Sequence, residues 1–188
     1  MLSFLYILFF IFSVESFDIH SKVFSKFIFN NNHKNAVEDV YNLVNQDKLY
    51  GYLSTINHSN KLKNYPYTSF VSLCINEEGC PIISMSDISL HTQNIKKNNN
   101  ISLLIPETKL INQNNKRVTI TGNINKITDN NEKEYLKKMY LSYHKEAFWL
   151  KYIDFNLYKM DDIKDIYYIG GFSKATKINI DKYKKKFN

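Results

Sequence analysis

The sequence predicts a mainly β (α+β) fold, a closed or nearly closed antiparallel barrel with peripheral helices. Strand-like segments follow one another as consecutive hairpins, and the alternating βαβ pattern of a parallel sheet is missing. The segments with helical spacing are few and are inserted between the strands. The 188 residues are 44% hydrophobic and 15% aromatic, which is enough for one domain with its own core.

The first half of the chain predicts one helix followed by three strands. Ala36–Asn45 carries apolar residues at helical spacing, which indicates a helix with one buried face. The strand segments are rich in β-branched and aromatic residues, and the turn-forming stretch NEEG separates the second strand from the third. These strands are expected at Leu49–Ile56, Tyr67–Ile75 and Pro81–Ser86.

A short helix and two further strands are predicted next. The helix runs from Ser89 to about Lys97, and a turn leads from it into a fourth strand at Ile101–Ile105. The fifth strand, Arg117–Ile127, alternates apolar and polar residues. Its interior glycine, Gly122, indicates a bulge or a close backbone approach.

The last part of the chain predicts a helix, two strands and a final short helix. Asn131–His144 is amphipathic, and Asp129 or Asn130 is positioned to cap its first turn. The remaining elements are expected at Phe155–Met160, Ile163–Ile169 and Ile178–Lys185.

The amino-terminal residues predict a targeting region. Residues 1–16 begin with an apolar run that is shorter than the roughly 20 residues of a membrane span, which favours a signal peptide. A buried helix or an uncleaved anchor is the alternative. Residues 17–35 form a basic, Asn-rich linker or a transit segment, so the protein is expected to be secreted or delivered to a plastid (apicoplast-like) organelle. A fluorescent fusion of residues 1–50 would distinguish these destinations. We expect no stable membrane span after signal cleavage, and residues 36–188 form the predicted barrel domain.

The charge of the chain is strongly positive but dispersed. The net charge is +7, and the lysines are spread along the chain without a recognisable nucleic-acid-binding motif, so no nucleic acid partner is expected. Arg117 is the single arginine, and its planar fork suits a carboxylate or phosphate of a ligand. A salt bridge at a strand edge is the equally weighted alternative.

The two cysteines flank the predicted hairpin loop INEEG. Cys74 and Cys80 could face each other across the ladder and form a disulfide, or both could be buried thiols, which is the preferred interpretation. No His/Cys cluster has the spacing of a zinc site, so no metal centre is predicted.

Small polar side chains crowd the segment SDISLHTQN, where the third strand passes into the short helix. The first turn of a helix has unpaired backbone N–H groups and a partial positive charge, which favour an anion such as phosphate. The alternative is local, with Ser86 or Asp87 capping the helix. The residues assigned to the anion site, some of them on the second strand, are Tyr67, Thr68, Ser69, Ser84, Ser86, Ser89, His91 and Thr92.

From about Leu49 to Tyr183 the chain resembles the pyridoxamine 5'-phosphate oxidase-like family, whose fold is an antiparallel FMN-binding split β-barrel. The resemblance rests on SDISLHTQN, SLLI and DFNLYKM followed by YYIGGFSKA, in that order. It lies in the branch with split-barrel haem oxygenases and CREG-type proteins. It implies a homodimer that holds FMN, or another planar ligand, at each dimer groove. The phosphate would lie between Tyr67–Ser69 and Ser84–Thr92, and the flavin would carry out redox chemistry.

Departures from the family pattern restrict the expected activity. True pyridoxamine phosphate oxidases hold the flavin phosphate with Arg and Lys, where this chain has Leu90 and His91, and their carboxyl-terminal Arg-x-His is missing from KINIDKYKKKFN. Oxidation of pyridoxamine phosphate is therefore not expected, and no catalytic residue is assigned.

Two alternatives follow from the same resemblance. In the haem-oxygenase branch a carboxyl-terminal His ligates iron, whereas the last histidine here is His144, which leaves His91 and His144 as possible ligands. A CREG-type protein would be a secreted, non-enzymatic interaction protein, and the sequons at Asn57 and Asn100 are compatible with secretion.

Overall fold

The computed structural model describes residues 35–107, 114–172 and 174–187. The predicted signal peptide, residues 1–16, and residues 17–34 of the predicted linker lie outside the described residues. The helices are α1 (Ala36–Val44), α2 (Leu90–Ile95), α3 (Asn130–Tyr143) and α4 (Ile180–Lys184), with a 3₁₀ helix at Phe148–Lys151. The strands are β1 (Leu49–Ile56), β2 (Pro66–Ile75), β3 (Pro81–Ser86), β4 (Asn100–Pro106), β5 (Arg117–Lys126), β6 (Phe155–Ile169) and β7 (Ala175–Lys177).

Six antiparallel strands close into a barrel, which confirms the predicted fold class. The strand order is β3-β2-β1-β4-β5-β6, and β6 returns to pair with β3. This closure uses the first part of β6, where Phe155 pairs with Ser86 and Lys159 pairs with Ile82. The seventh strand, β7, pairs only with the end of β6. Because β3 and β6 pair and close the barrel, none of these six strands is an edge strand that is unpaired along its whole length.

The main core fills the barrel, and a helix covers each end. Alternate residues along every strand point inward, so that Leu53, Leu103 and Ile120 are fully buried. At one end α1 contributes the buried Val40 to this core. At the other end Asn94 of α2 donates to Thr55 Oγ1 at 3.1 Å. The inner face is therefore filled with protein, and ligands must bind at the barrel ends or on its outer face.

A second core lies outside the barrel, beneath α3. Asp129 caps this helix by accepting from the backbone N–H of Glu132 at 2.8 Å, as one of the two predicted caps. The hydroxyl of the buried Tyr140 lies 2.6 Å from Ser72 Oγ on β2. The apolar side chains of this core are Cys74, Ile82, Ile127, Leu136, Tyr140, Ala147, Leu150 and Leu157.

The prediction of two strands at Phe155–Met160 and Ile163–Ile169 is wrong, because one strand, β6, covers both segments. The register between β5 and β6 shifts between Thr121 and Gly122 and again between Asn123 and Asn125. These irregularities absorb the extra residues of β6 and let the strand bend without a turn. Gly122 makes the close approach predicted for it, since a Cβ there would lie 2.4 Å from the carbonyl oxygen of Asp162.

The two cysteines are buried free thiols. Cys74 pairs with Ile82 in the ladder and so does not face Cys80, which explains why the hairpin does not bring the two sulfurs into a disulfide. Burial raises the pKa of Cys74 to about 12. Neither the 3₁₀ helix nor β7 was predicted, since both are too short for a periodic signal. Within the described ranges, every helix is too short or too polar to cross a bilayer.

Candidate functional site

The start of α2 is anchored by a network of short polar side chains. Ser86 Oγ, at the end of β3, donates to Asp154 Oδ2 at 2.5 Å, and the backbone N–H of Asp87 donates to the carbonyl of Asp154 at 2.8 Å. Ser89 Oγ donates to the carbonyl of Ser86 at 2.7 Å. This network fixes the strand-to-helix junction against the segment that precedes β6.

Most hydroxyl groups at this junction form hydrogen bonds with other groups of the junction. The N-cap residue of α2 is Ser89, so the interpretation that Ser86 or Asp87 caps the helix is wrong. The side chain of Ser89 makes no capping bond, because Ser89 Oγ lies 2.8 Å from the Oγ1 of the fully buried Thr92. Ser86, Ser89 and Thr92 therefore order the loop, and Thr92 has no surface to offer a ligand.

His91 and Ser69 form the central contact between α2 and β2. His91 Nδ1 lies 3.1 Å from Ser69 Oγ, so α2 and β2 are in contact at this point. Burial lowers the pKa of His91 below its ordinary value of 6.5, so the imidazole is neutral at neutral pH. No hydrogen bond joins His91 Nε2 to any residue that the structure describes. Ile88 and Leu90, which precede it in the chain, are exposed.

The other two strand-2 residues of the predicted site point to opposite faces of the sheet. Thr68 lies on the outer face, where its Oγ1 is 3.1 Å from Ser54 Oγ on β1. Tyr67 lies on the other face and is half-buried, and its carbonyl accepts from Thr55 Oγ1 at 3.4 Å. The alternation of strand side chains separates these two residues, so they do not line one common surface.

The structure does not bring Ser84 and Arg117 to this cluster. Ser84 pairs with Leu157 on the side of β3 that faces α3, and its Oγ is buried with no hydrogen-bond partner among the described residues. Arg117 pairs with Pro106 and Ile169 at the end of the barrel opposite α2, and its guanidinium donates to the carbonyl of Asn115 at 3.2 Å.

Asp87, for which the sequence indicates only a possible cap, lies at the centre of a cluster of ion pairs. Its carboxylate accepts from Lys96 at 3.2 Å and from Lys126 at 3.3 Å, and it also accepts from Asn156 at 3.0 Å. Burial tends to raise the pKa of Asp87, but the hydrogen bonds from the two lysines lower it below its ordinary value. The lysines lie nine residues and 39 residues away in the chain, so no local motif indicates this cluster.

Aromatic side chains form a patch on the outer face of β1 and β2, which we call the outer aromatic patch: Tyr50, Tyr52 and Phe70. The rings of Tyr50 and Phe70 are stacked with centroids 5.4 Å apart, and Tyr52 meets Phe70 edge-on at 5.7 Å. Phe70 is 59% exposed. The patch borders a concavity of about 340 Å³ that Leu49, Pro106 and Glu107 also line. The alternation of side chains in β1 and β2 places these rings outside the barrel, but the sequence carries no signal that the three rings pack together.

His144, the second candidate haem ligand, is completely buried next to α3. Its Nε2 lies 2.9 Å from the carbonyl of Leu73, and its Nδ1 is buried with no partner among the described residues. The rings of Tyr50 and Tyr140 pack against it at 5.5 and 5.0 Å. A ligand as large as haem has no access to this ring. Across the part of the chain that the structure describes, no three acidic, Cys or His side chains are grouped to hold a metal ion.

Comparisons with known proteins agree with the barrel. Residues 31–185 match the family model described as "CREG, beta-barrel". A non-canonical heme oxygenase of Arabidopsis thaliana, HOZ, which is described as chloroplastic, is 29% identical over 142 residues. That match covers 74% of this chain but only 41% of the Arabidopsis protein, so the chain spans less than half of its curated relative.

Solved structures show the same fold at low sequence identity. A heme binding protein from Mycobacterium smegmatis has a TM-score of 0.68 and 19% identity, over 80% of this chain and 60% of the other. Campylobacter jejuni ChuZ has a TM-score of 0.65 and 21% identity, over 80% and 61% of the two chains. A putative pyridoxamine 5'-phosphate oxidase from Listeria innocua has a TM-score of 0.55 and 13% identity, over 72% and 98%.

Proposed function

The chain belongs to the CREG beta-barrel family, and from this premise we propose that it is a haem-binding split-barrel protein in which His91 holds the iron. The observation that carries the proposal is the neutral His91, oriented through Nδ1 by Ser69 while Nε2 has no hydrogen bond to a described residue. Metal-binding histidines commonly have this arrangement, with the second ring nitrogen held by a hydrogen bond. Relatives named for haem oxygenation and haem binding support this reading.

The residues around His91 support a porphyrin ligand. With the proton on Nδ1, His91 donates to Ser69 Oγ and keeps the Nε2 lone pair for iron. The exposed Ile88 and Leu90 offer apolar contacts to the ring. Bound haem would supply a redox-active iron. The chain's own part is to orient the imidazole and to hold the start of α2 in place through Ser86.

FMN is the second candidate, and one observation favours it. The two segments expected to hold its phosphate are in contact, because Ser69 and His91 lie within hydrogen-bonding distance. The electrostatics oppose it, since a phosphate there would meet a neutral imidazole and hydroxyls that already bond to one another. The arginine that could have supplied a fixed charge, Arg117, lies at the opposite end of the barrel.

A titration separates the two cofactors. We expect the purified full chain to develop a sharp haem absorption band with one haem per chain, and to bind added FMN at least about tenfold more weakly, because its phosphate would meet a neutral imidazole at His91. A yellow complex that excludes haem would overturn the proposal in favour of a flavoprotein. A folded protein that binds neither ligand would instead favour a CREG-like interaction module.

We also propose that the protein is a homodimer joined through the outer aromatic patch. The patch combines stacked rings with a concavity at its border, and Phe70 exposes an apolar surface that a second copy would cover. Aromatic anchors of this kind carry much of the binding energy of an interface.

Replacing Phe70 with lysine tests the dimer. Because Phe70 is exposed, the variant should fold normally, and its dimer dissociation constant should rise about 30-fold as an apolar anchor is lost and a charge is buried. Sedimentation equilibrium measures this constant. A Leu62→Lys variant, which changes an exposed apolar residue in the β1–β2 loop, is the control. A wild-type protein that is monomeric at all concentrations would contradict the proposal.

A further inference from the structure

A concave surface separate from His91 lies between the end of α2 and the end of β5; we call it the lysine cavity. Its volume is about 540 Å³. It lies at the barrel end that α2 covers, whereas the outer aromatic patch lies on the side of the barrel. The residues that line it are His58, Ile95, Lys96, Lys97, Asn98, Asn99, Ile124, Asn125, Lys126 and Tyr158.

The lysine cavity has more positive than negative charge. Lys96 and Lys126 both form ion pairs with the single carboxylate of Asp87, at 3.2 and 3.3 Å. The third lysine, Lys97, forms no ion pair with a described residue. Near the cavity, the side-chain amide of Asn125 donates to Asp161 Oδ1 at 3.3 Å. One carboxylate shared by two lysines leaves the cavity able to attract an anion.

Polar side chains supply further hydrogen-bonding groups at the lysine cavity. His58 lines the cavity, and its Nε2 is buried with no hydrogen-bond partner among the described residues. An unpaired buried nitrogen costs free energy that a ligand oxygen or hydrogen would recover. The amides of Asn99 and Asn125, which bond to each other at 3.0 Å, lie at the same surface.

We propose that the lysine cavity binds a phosphate group, either inorganic phosphate or the phosphate of a small monoester. Lys97 contacts the phosphate directly. The ammonium groups of Lys96 and Lys126 balance the second negative charge of the phosphate. His58 forms a hydrogen bond to the phosphate through Nε2. Lysine ammonium groups recognise phosphate as point charges, and this cluster has no planar fork that would select a carboxylate.

Two variants with opposite expected effects test this proposal in the full chain. Lys97→Ala removes a ligand contact without touching the ion pairs of Asp87, and the dissociation constant for inorganic phosphate should rise about tenfold. Asp87→Asn removes the carboxylate that competes for Lys96 and Lys126, and the dissociation constant should fall about threefold. A misfolded variant cannot imitate this pair of results, since loss of structure weakens binding in both.

Lys138→Ala, on the exposed face of α3, is the matched control and should leave the affinity unchanged. Calorimetry with inorganic phosphate and with glycerol 3-phosphate distinguishes the two sources. Equal affinities assign the site to free phosphate, and tighter binding of the ester assigns it to a monoester. Absence of binding by both probes, or equal weakening by Lys97→Ala and Lys138→Ala, would overturn the proposal.

Discussion

Replacing His91 with alanine should raise the dissociation constant for haem by at least about 100-fold, because the iron loses its protein ligand. Ser69→Ala should raise it by about tenfold, since Ser69 only orients the imidazole through Nδ1. Titration of each variant with haem, followed by absorption, measures both effects. Added imidazole should restore the spectrum of the His91→Ala variant by occupying the vacated position.

His58→Ala is the matched control for the histidine substitution, because His58 lines the lysine cavity and does not contact Ser69. Its haem affinity should equal that of the wild type. The pH dependence gives a further check. Because burial lowers the pKa of His91, the neutral ligand persists below pH 6.5, and affinity should fall only as the pH drops through that lowered value. An unchanged affinity in His91→Ala would show that iron is held elsewhere.

Replacing Gly122 with alanine should destabilise the protein by about 3 kcal/mol, because overpacking against a fixed backbone is costly. The new Cβ would lie 2.4 Å from the carbonyl oxygen of Asp162, and a backbone atom cannot move aside as a flexible side chain can. The melting temperature should fall by about 6 to 12 °C, measured by circular dichroism.

Thr121→Ala is the control for Gly122, since Thr121 is the exposed neighbour in the same strand. It should change the free energy of unfolding by less than about 1 kcal/mol, the range of strand propensities. If Gly122→Ala is as stable as Thr121→Ala, the bulge in β6 is not held by this close contact, and the explanation for the single long strand fails.

Most of the fold could be predicted because local patterns carry it. Short stretches of sequence carry the alternation of apolar and polar residues in β1 and β5 and the helix cap at Asp129. The structure has these features at the expected positions. The continuity of β6 could not be predicted in this way. Asp161 and Asp162 look like a turn, but the register with β5 carries them through as part of the strand. That register depends on the pairing of β6 with residues of β5 that lie about 40 positions earlier in the chain.

The candidate site was predicted in part for the same reason. The contact between Ser69 and His91 followed from two recognisable segments, and it is present at 3.1 Å. The roles of Thr92 and Ser84 were not predictable, because their orientation depends on which side of the helix or strand faces a core. Asp87 joins lysines from α2 and β5, and such a long-range cluster leaves no local signal.

The most direct test of the central claim is the resonance Raman spectrum of the ferrous haem complex of the full chain. If His91 holds the iron, the wild type should show an iron–histidine stretching band, and the band should disappear in His91→Ala while His58→Ala retains it. A haem complex without this band, or a band that survives in His91→Ala, would contradict the assignment of His91 as the haem ligand.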